Sequence, residues 1–219
     1  AMSTSRTLHI LHFNDVYHPD NFEGRTECAA RFLSRIECSD IASTNPLILF
    51  SGDFLAPSLW STFTKGKHMM EVLELIGVHA GTPGNHDFDF GIDFFRQLAL
   101  DNVLFEEKSQ AKSIWVLSNI DGLDGNPIGG CARYRLIEHN GFKVGLLGLS
   151  EDWLSDAGLS ATSDSPDKHA KWFDEVERGK LCARELRDRG AELVLALCHS
   201  LVCNTEKVAR GLAGPGDLL

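Results

Sequence analysis

The sequence predicts an α/β fold with mixed α+β character, and three observations support this prediction. Short apolar runs of the kind that form buried strands alternate with segments whose apolar residues repeat at the helical period. The Asn140-Gly141 pair lies between two further apolar runs and is a strong signal for a two-residue β-hairpin, which adds an antiparallel pair. With 219 residues, 43% of them hydrophobic, the chain can bury one sizeable core, so we expect a single domain over residues 1–219.

The predicted elements alternate along the chain. In order, they are a strand at 8–13, a helix from about residue 26, a strand at 47–50, a helix near residue 67, a helix at 92–100, a strand at 114–117, a hairpin at 132–149, a charged helix from about 174 to 189 and a strand at 193–197. The first helix carries apolar residues at positions i, i+3, i+4 and i+7, which predict a stripe buried in the core: Ala29, Phe32, Leu33 and Ile36. The polar interval at 151–171 is predicted to be a surface excursion, with an active-site lid as the alternative.

The charge balance limits the partners that this chain can have. The 31 acidic and 21 basic residues give a formal net charge of −10, and no Lys/Arg-rich run could follow a nucleic acid backbone, so we expect no nucleic acid partner. An acidic protein that handles an anionic substrate must reverse its local potential, and bound divalent cations do this where carboxylates crowd a site. The six cysteines lack Cys-x-x-Cys spacing, which argues against a zinc ribbon or a compact disulfide framework.

No segment predicts a membrane location. No stretch is both long enough and apolar enough to span a bilayer, and the first five residues show no apolar signal region. We therefore expect a cytoplasmic protein, although the Ala1 that precedes Met2 leaves open that an upstream targeting segment was removed. The sequence gives no basis for predicting the oligomeric state.

The segment Gly84–Asp89, Gly-Asn-His-Asp-Phe-Asp, carries the densest chemistry in the chain. It places an amide, an imidazole and two carboxylates behind a glycine that permits a tight turn. A neutral oxygen donor, a proton carrier and acids that orient it are suited to a catalytic site. The alternative interpretation of so short a motif is a polar surface turn.

Three other polar side chains follow apolar runs that predict strands. Asp15 and Asp53 come shortly after the first two strands, and His199 follows the last. Because side chains at the carboxyl ends of strands meet at one edge of an open α/β sheet, we expect these residues to converge with Asn85 and His86. Taken singly, each of the three has a structural alternative, as a turn residue, a helix cap or a hydrogen-bonded histidine.

With these motifs in view, the chain resembles the N-terminal catalytic domain of 5′-nucleotidases, a branch of the calcineurin-like metallophosphoesterases. The resemblance covers nearly the whole chain and is carried by four blocks: Ile10–Val16, Ser51–Asp53, Gly84–Gly91 and Ala196–Ser200. It implies a four-layer αββα sandwich with two mixed β-sheets, which suits a hairpin inserted into an α/β pattern.

The resemblance implies a centre with two divalent metal ions, of Mn, Zn, Co, Fe or Mg. Asp15 would bind the first ion, Asp53 would bridge both, and Asn85 and His199 would bind the second. A carboxylate can ligate two ions at once, whereas an amide adds an oxygen without adding negative charge that repels substrate. The ions would lower the pKa of a shared water, and the resulting hydroxide would attack the phosphoester.

The implied catalytic residues are His86 and Asp89. His86 would stay off the metals near the scissile phosphoester, where a protonated ring stabilises phosphate oxygens or the departing alkoxide, and Asp89 would orient that ring. Asp87, directly after the histidine, would support the site without acting in catalysis. The implied substrate is a small phosphorylated compound, a nucleotide, and the implied process is nucleotide catabolism.

The sequence departs from the family pattern in two places. The family's first motif is Asp-x-His, with the histidine a metal ligand, but Tyr17 stands in that position and the neighbouring His18 would have to compensate. We expect such a site to hold its ion more weakly, which leaves open a single tightly bound ion. The family's later Gly-His-x-His motif and its base-binding C-terminal domain do not occur in these 219 residues, so we expect an incomplete catalytic domain.

Two alternatives to a nucleotide hydrolase stay open at this point. The first is a catalytically impaired scaffold or binding protein of the same fold, which cannot build both metal sites. The second is a hydrolase of phosphodiesters or pyrophosphates with the same architecture. The sequence does not distinguish between them.

Overall fold

The computed structural model describes residues 6–17, 21–22, 25–26, 28–101, 113–154 and 169–213. Its strands are β1 (Ile10–Phe13), β2 (Asn21–Phe22), β3 (Arg25–Thr26), β4 (Leu47–Phe50), β5 (Ala80–Gly81), β6 (Ile120–Asp121), β7 (Tyr134–His139), β8 (Phe142–Ser150), β9 (Lys171–Trp172) and β10 (Leu193–His199). Its α-helices are α1 (Cys28–Glu37), α2 (Leu59–Thr64), α3 (Lys67–Ile76), α4 (Ile92–Asp101), α5 (Glu175–Asp188) and α6 (Val202–Leu212). No helix in these ranges is long and apolar enough to cross a membrane.

The first sheet joins β1, β4 and β5 in parallel, with β4 at its centre and buried along its whole length. The strand that the sequence predicts at 114–117 forms isolated bridges through Trp115 and Val116 instead of a full ladder. Three successive N–H groups donate to carbonyls in three different segments: Val116 to Gly81, Leu117 to Ala132 and Ser118 to Gly148. The prediction of a full strand was therefore wrong, because the chain leaves the sheet before a ladder can extend.

The second sheet is mixed, since β8 pairs with β10 in parallel and with β7 in antiparallel fashion. The hairpin between β7 and β8 turns at Asn140 and Gly141, whose φ angles are 50° and 76°. Both central residues of a type I′ turn need positive φ, which Asn and Gly adopt at low cost. The predicted hairpin is confirmed, and the register places His199 beside Ser150 at the carboxyl ends of β10 and β8.

Three apolar clusters separate four layers. The cluster between the first sheet and helices α3 and α4 includes Phe50, Met69 and Phe95. The cluster between the two sheets includes Leu49, Leu146 and Leu197. The cluster between the second sheet and helices α5 and α6 includes Leu147, Leu186 and Val208. Because successive strand residues face opposite sides, neighbours such as Leu146 and Leu147 belong to different clusters, and the expected αββα sandwich is confirmed.

The four predicted helices are present as α1, α3, α4 and α5, but the sequence analysis did not predict α2 and α6, and it was wrong about the burial of α1. The helix α3 ends at Gly77, whose φ is 82° and whose N–H donates to the Leu73 and Glu74 carbonyls. The stripe on α1 was expected in the core, yet Phe32 is 40% exposed. Its ring packs edge-on against Phe13 with centroids 5.1 Å apart, and Phe13 lies on β1, the edge strand of its sheet. An edge position leaves the stripe half-covered. The excursion predicted at 151–171 lies largely outside the described residues.

Candidate metal centre and active site

The loops after β1 and β4 hold Asp15 and Asp53 side by side. The N–H of Asp15 donates to the Gly52 carbonyl and the N–H of Val16 donates to the Asp53 carbonyl, each at 3.0 Å. Asp15 and Asp53 have φ angles of 55° and 66°, in the left-handed region that few non-glycine residues adopt. Strained backbone of this kind persists where the surroundings fix it and is concentrated at functional sites. The two predicted metal-ligating carboxylates therefore meet at one sheet edge.

Asp87 anchors these loops from behind. Its side chain is fully buried, and its two oxygens accept four backbone N–H groups at 2.8, 2.8, 3.0 and 2.8 Å, from Asp53, Phe54, Leu55 and Gly84. Burial, and next the charge of Asp53, raise the pKa of Asp87 to about 6, although these N–H donors act in the opposite direction. Because both oxygens are occupied by backbone donors, Asp87 supports the site and does not face it.

Gly84 is needed for a close approach and not for the tight turn that the sequence suggested. Its φ is not positive, so its backbone conformation is open to other residues. A Cβ at this position would lie 2.1 Å from Asp53 Oδ1 and 2.7 Å from His199 Cε1. A side chain here would therefore push apart the two residues that the site brings together.

The imidazole of His199 is oriented as a ligand would be. Its Nδ1 lies 2.7 Å from the Ser51 carbonyl oxygen, which can only accept, so Nδ1 carries a proton. Its Nε2 then faces Asn85 Oδ1 at 3.1 Å and Asp53 Oδ2 at 3.4 Å. Burial alone would lower the pKa of His199, but the hydrogen bond and charge of Asp53 raise it to about 9. In the absence of a metal, this raised pKa favours a proton on Nε2, which points towards the oxygens of Asn85 and Asp53.

These three atoms fit a divalent ion. Donor atoms that share one ion at about 2.1 Å stand roughly 3 Å from one another, which is close to the separations of His199 Nε2 from Asn85 Oδ1 and from Asp53 Oδ2. Two oxygens and an imidazole nitrogen suit Mn, Zn, Co or Fe. Within the described ranges, no three or more His, Cys, Asp or Glu side chains form a metal cage by themselves. The set that converges here uses an amide as its third donor.

Tyr17 joins the two carboxylates of the site. Its hydroxyl is 2.6 Å from Asp53 Oδ2 and 2.9 Å from Asp15 Oδ1, so it donates towards both carboxylates. Burial raises the pKa of Tyr17, and the two carboxylates raise it further, so the side chain stays a neutral phenol. The second oxygen of Asp15 accepts a hydrogen bond from the Asn14 amide. His18, which the sequence offered in place of the missing imidazole, is outside the described residues.

His86 and Asp89 form a pair at the mouth of the site. His86 Nδ1 lies 2.9 Å from Asp89 Oδ2, and the two side chains are 39% and 42% exposed. The backbone N–H of His86 donates to Asp53 Oδ1 at 3.0 Å, which fixes the start of this segment against the carboxylate. The pair is therefore open to a substrate and lies directly beside the residues that could hold an ion.

A cavity of about 300 Å³ unites these residues. Its lining includes Asp15, Tyr17, Asp53, Asn85, His86 and His199. The structure thus brings together six of the residues that the sequence assigned to the site, with Asp87 behind it and Asp89 bonded to His86, whereas His18 lies outside the described residues. Their catalytic and metal-binding roles stay predictions.

Glu151 also lines this cavity, and the sequence interpretation missed it. Its N–H donates to the His199 carbonyl at 3.2 Å, and its Oε2 accepts the Leu201 N–H at 3.1 Å. These two hydrogen bonds fix the backbone at the end of β10. A signal was present, because Glu151 directly follows β8, as Asp53 and His199 follow or end their own strands. It adds a third carboxylate to the site.

Oxygen and imidazole donors converging at the strand ends of an αββα sandwich define a candidate metallohydrolase. The chain belongs to the calcineurin-like phosphoesterase family, whose family model matches residues 8–201. The resemblance stated from the sequence is thereby confirmed.

The comparisons with known proteins point to 5′-nucleotidases. A 5′-nucleotidase from Diplobatis ommata is 27% identical over 219 residues, which cover 94% of this chain and 36% of that protein. The structure of a 5′-nucleotidase precursor from Thermus thermophilus superposes with a TM-score of 0.68 at 22% identity, over 93% of this chain and 39% of that one. NAD nucleotidase from Haemophilus influenzae gives 0.65 at 21% identity, over 92% and 36%. At these identities the structures show a shared fold, and the chain spans little more than a third of each relative.

Proposed function

We propose that this chain forms the N-terminal part of the catalytic domain of a divalent-metal-dependent phosphoester hydrolase that acts on a nucleotide. One observation carries the proposal, namely the convergence of Asp53 Oδ2 and Asn85 Oδ1 on His199 Nε2 within 3.4 Å. The names of the 5′-nucleotidase relatives support a nucleotide as the substrate.

The residues present divide the work of holding ions. Asp53, Asn85 and His199 would hold one divalent ion, and Asp15 with Asp53 would offer carboxylate oxygens to another. Divalent ions bound there would supply positive charge to the phosphoryl oxygens and lower the pKa of a water molecule. Asn85 contributes an oxygen without charge, which limits the repulsion of an anionic substrate. Ser51 keeps the His199 ring in the tautomer whose Nε2 lone pair is available.

His86 is placed to handle the proton that the leaving group needs. Because Asp89 lies against Nδ1, a proton on that nitrogen is held by the carboxylate and the ring is fixed in direction. The opposite nitrogen, Nε2, can then present a proton to a phosphate oxygen or to the departing alkoxide. The partial exposure of the pair leaves room for a substrate to reach it.

The charge of the cavity explains why hydrolysis should depend on cations. Asp15, Asp53 and Glu151 line it, in a chain of net charge −10, and together they repel a phosphate group. Chelation should therefore abolish both substrate binding and turnover. An excess of Mn²⁺ should restore them.

Hydrolysis of p-nitrophenyl phosphate with Mn²⁺, by the 219-residue chain and by a longer polypeptide that supplies the rest of the catalytic domain, tests the proposal. His86→Ala should lose most of the activity, whereas His9→Ala, a histidine outside the cavity, should not. Equal activity of His86→Ala and the wild type would contradict the proposed site.

Nucleoside monophosphates, a phosphodiester and pyrophosphate should be compared as substrates, because preference for either of the last two would correct the substrate class. If an ion binds and a longer polypeptide that supplies the rest of the catalytic domain also hydrolyses none of these, a binding protein of the same fold is favoured.

A further inference from the structure

The neighbours of the Asp53 carboxylate offer different chemistry to a cation. His199 Nε2 lies 3.4 Å from Asp53 Oδ2 and 3.1 Å from the amide oxygen of Asn85. The amide oxygen and Nε2 can present lone pairs, because the Ser51 carbonyl takes the Nδ1 proton of His199, and Asp53 Oδ2 keeps a lone pair beyond the one that accepts from Tyr17. The space beside His199 is therefore arranged to receive a positive charge.

Between Asp15 and Asp53, hydrogen-bond donors of the chain itself already contact the carboxylates. Tyr17 donates towards Asp15 Oδ1 and Asp53 Oδ2, and Asn14 donates to Asp15 Oδ2. An ion placed between Asp15 and Asp53 would have to displace the phenol or replace its proton. Among the described residues that line the cavity, the imidazoles are those of His86, which is paired with Asp89, and His199. The His86 ring stands edge-on to Tyr17 with centroids 6.4 Å apart, so the group that contacts both carboxylates in the described part of the cavity is a phenol donor and not an imidazole lone pair.

We propose that Tyr17 makes the two ion positions unequal. One divalent ion binds tightly at Asp53, Asn85 and His199, and the position between Asp15 and Asp53 binds its ion at least about tenfold more weakly, as expected when a ligand-supporting arrangement is lost. The inference rests on the proposed function for the kind of ligand, but it concerns binding and not turnover.

Titration of the metal-free 219-residue chain with Mn²⁺ by calorimetry, combined with elemental analysis of the gel-filtered protein, tests this inequality. The wild type should retain one ion and show a second, weaker event. Tyr17→His supplies the missing lone pair and should strengthen the weak event by about tenfold or more, while the tight event changes by less than about threefold. Tyr134→Phe, which alters the other tyrosine of the chain, should leave both events unchanged.

Two events of equal affinity in the wild type would overturn the proposal. So would a weak event that does not respond to Tyr17→His in a variant whose melting temperature matches the wild type. A change in the tight event of Tyr17→Phe by more than about tenfold would also overturn it, because Tyr17 would then belong to the tight position. These readouts keep their meaning even if no substrate is hydrolysed, so failure of the proposed function and failure of this inference are distinguishable.

Discussion

The carboxylate of Asp87 accepts the backbone N–H of Asp53 at 2.8 Å. This hydrogen bond connects the loop after β5 to the loop after β4. The same carboxylate accepts three further N–H groups, and the side chain has no exposed surface. Asp53 is held in a left-handed backbone conformation by this contact and by its bond to Val16. The position of the central site carboxylate thus depends on a residue that never faces the cavity.

Replacing Asp87 by asparagine should destabilise the fold. The amide nitrogen cannot accept, so buried N–H groups would lose partners, and we expect the free energy of unfolding to fall by about 2–4 kcal/mol. Urea unfolding followed by circular dichroism measures this loss. Asp188→Asn, at the exposed end of α5, is the matched control and should change stability by less than about 0.5 kcal/mol. Similar values for the two variants would contradict the anchoring role.

Replacing Gly84 by alanine should damage the site more than the fold. The new Cβ would overlap Asp53 Oδ1 without straining the backbone, so we expect Mn²⁺ affinity to fall by about tenfold or more. Gly190→Ala is the control that should affect the fold and not the site, because Gly190 has a φ of 92° and open space around it. It should cost about 1 kcal/mol of stability and leave Mn²⁺ affinity unchanged. Calorimetry and urea unfolding of both variants give the comparison.

The stability of the metal-free protein should fall as the pH rises past neutrality. The pKa of His199 is raised from 6.5 to about 9 on folding, so its protonated form stabilises the fold fully below pH 6.5 and loses this contribution as the pH passes about 9. We expect a loss of the order of 2–3 kcal/mol between these limits. Unfolding in urea with a chelator present, at about pH 6 and about pH 9.5, measures it. The slope should disappear in His199→Gln and persist in His9→Gln, and equal slopes in all three proteins would refute the assignment.

Replacing Asp89 by asparagine should slow turnover without weakening substrate binding. The amide can still lie beside His86 Nδ1 but cannot stabilise a charged ring, so we expect kcat to fall on the order of tenfold or more while KM changes little. Steady-state kinetics with p-nitrophenyl phosphate distinguish the two parameters. Asp188→Asn serves again as the control. A rise in KM at constant kcat would instead show that Asp89 helps to bind the substrate.

The parts of the fold that local chemistry decides were predictable from the sequence. The turn at Asn140-Gly141 needs positive φ at both residues, and the end of α3 at Gly77 needs it once, so these residue types indicate their structures directly. The apolar run at 114–117 was misjudged, because its hydrogen-bond partners come from distant segments. Apolar periodicity also could not show that α1 lies over the edge strand β1, where Phe32 is left half-exposed.

The site was predictable as a set of residues and less so as a set of contacts. Strand-end position correctly grouped Asp15, Asp53, Asn85 and His199, because the carboxyl ends of β1, β4 and β5 in the first sheet and of β10 in the second meet at one cavity. The four bonds of Asp87 and the close approach at Gly84 depend on the three-dimensional course of two loops. Sequence spacing carries no information about that course.

The donor atoms at the centre belong to two different sheets. His199 ends β10 in the second sheet, whereas Asp53 follows β4 in the first. The two sheets pack against each other through apolar side chains such as Leu49 and Leu146. An ion bound there would cross-link the two sheets. A shift of one sheet against the other by a fraction of an ångström would then change the affinity for the ion, so metal affinity would report how closely the two sheets are packed.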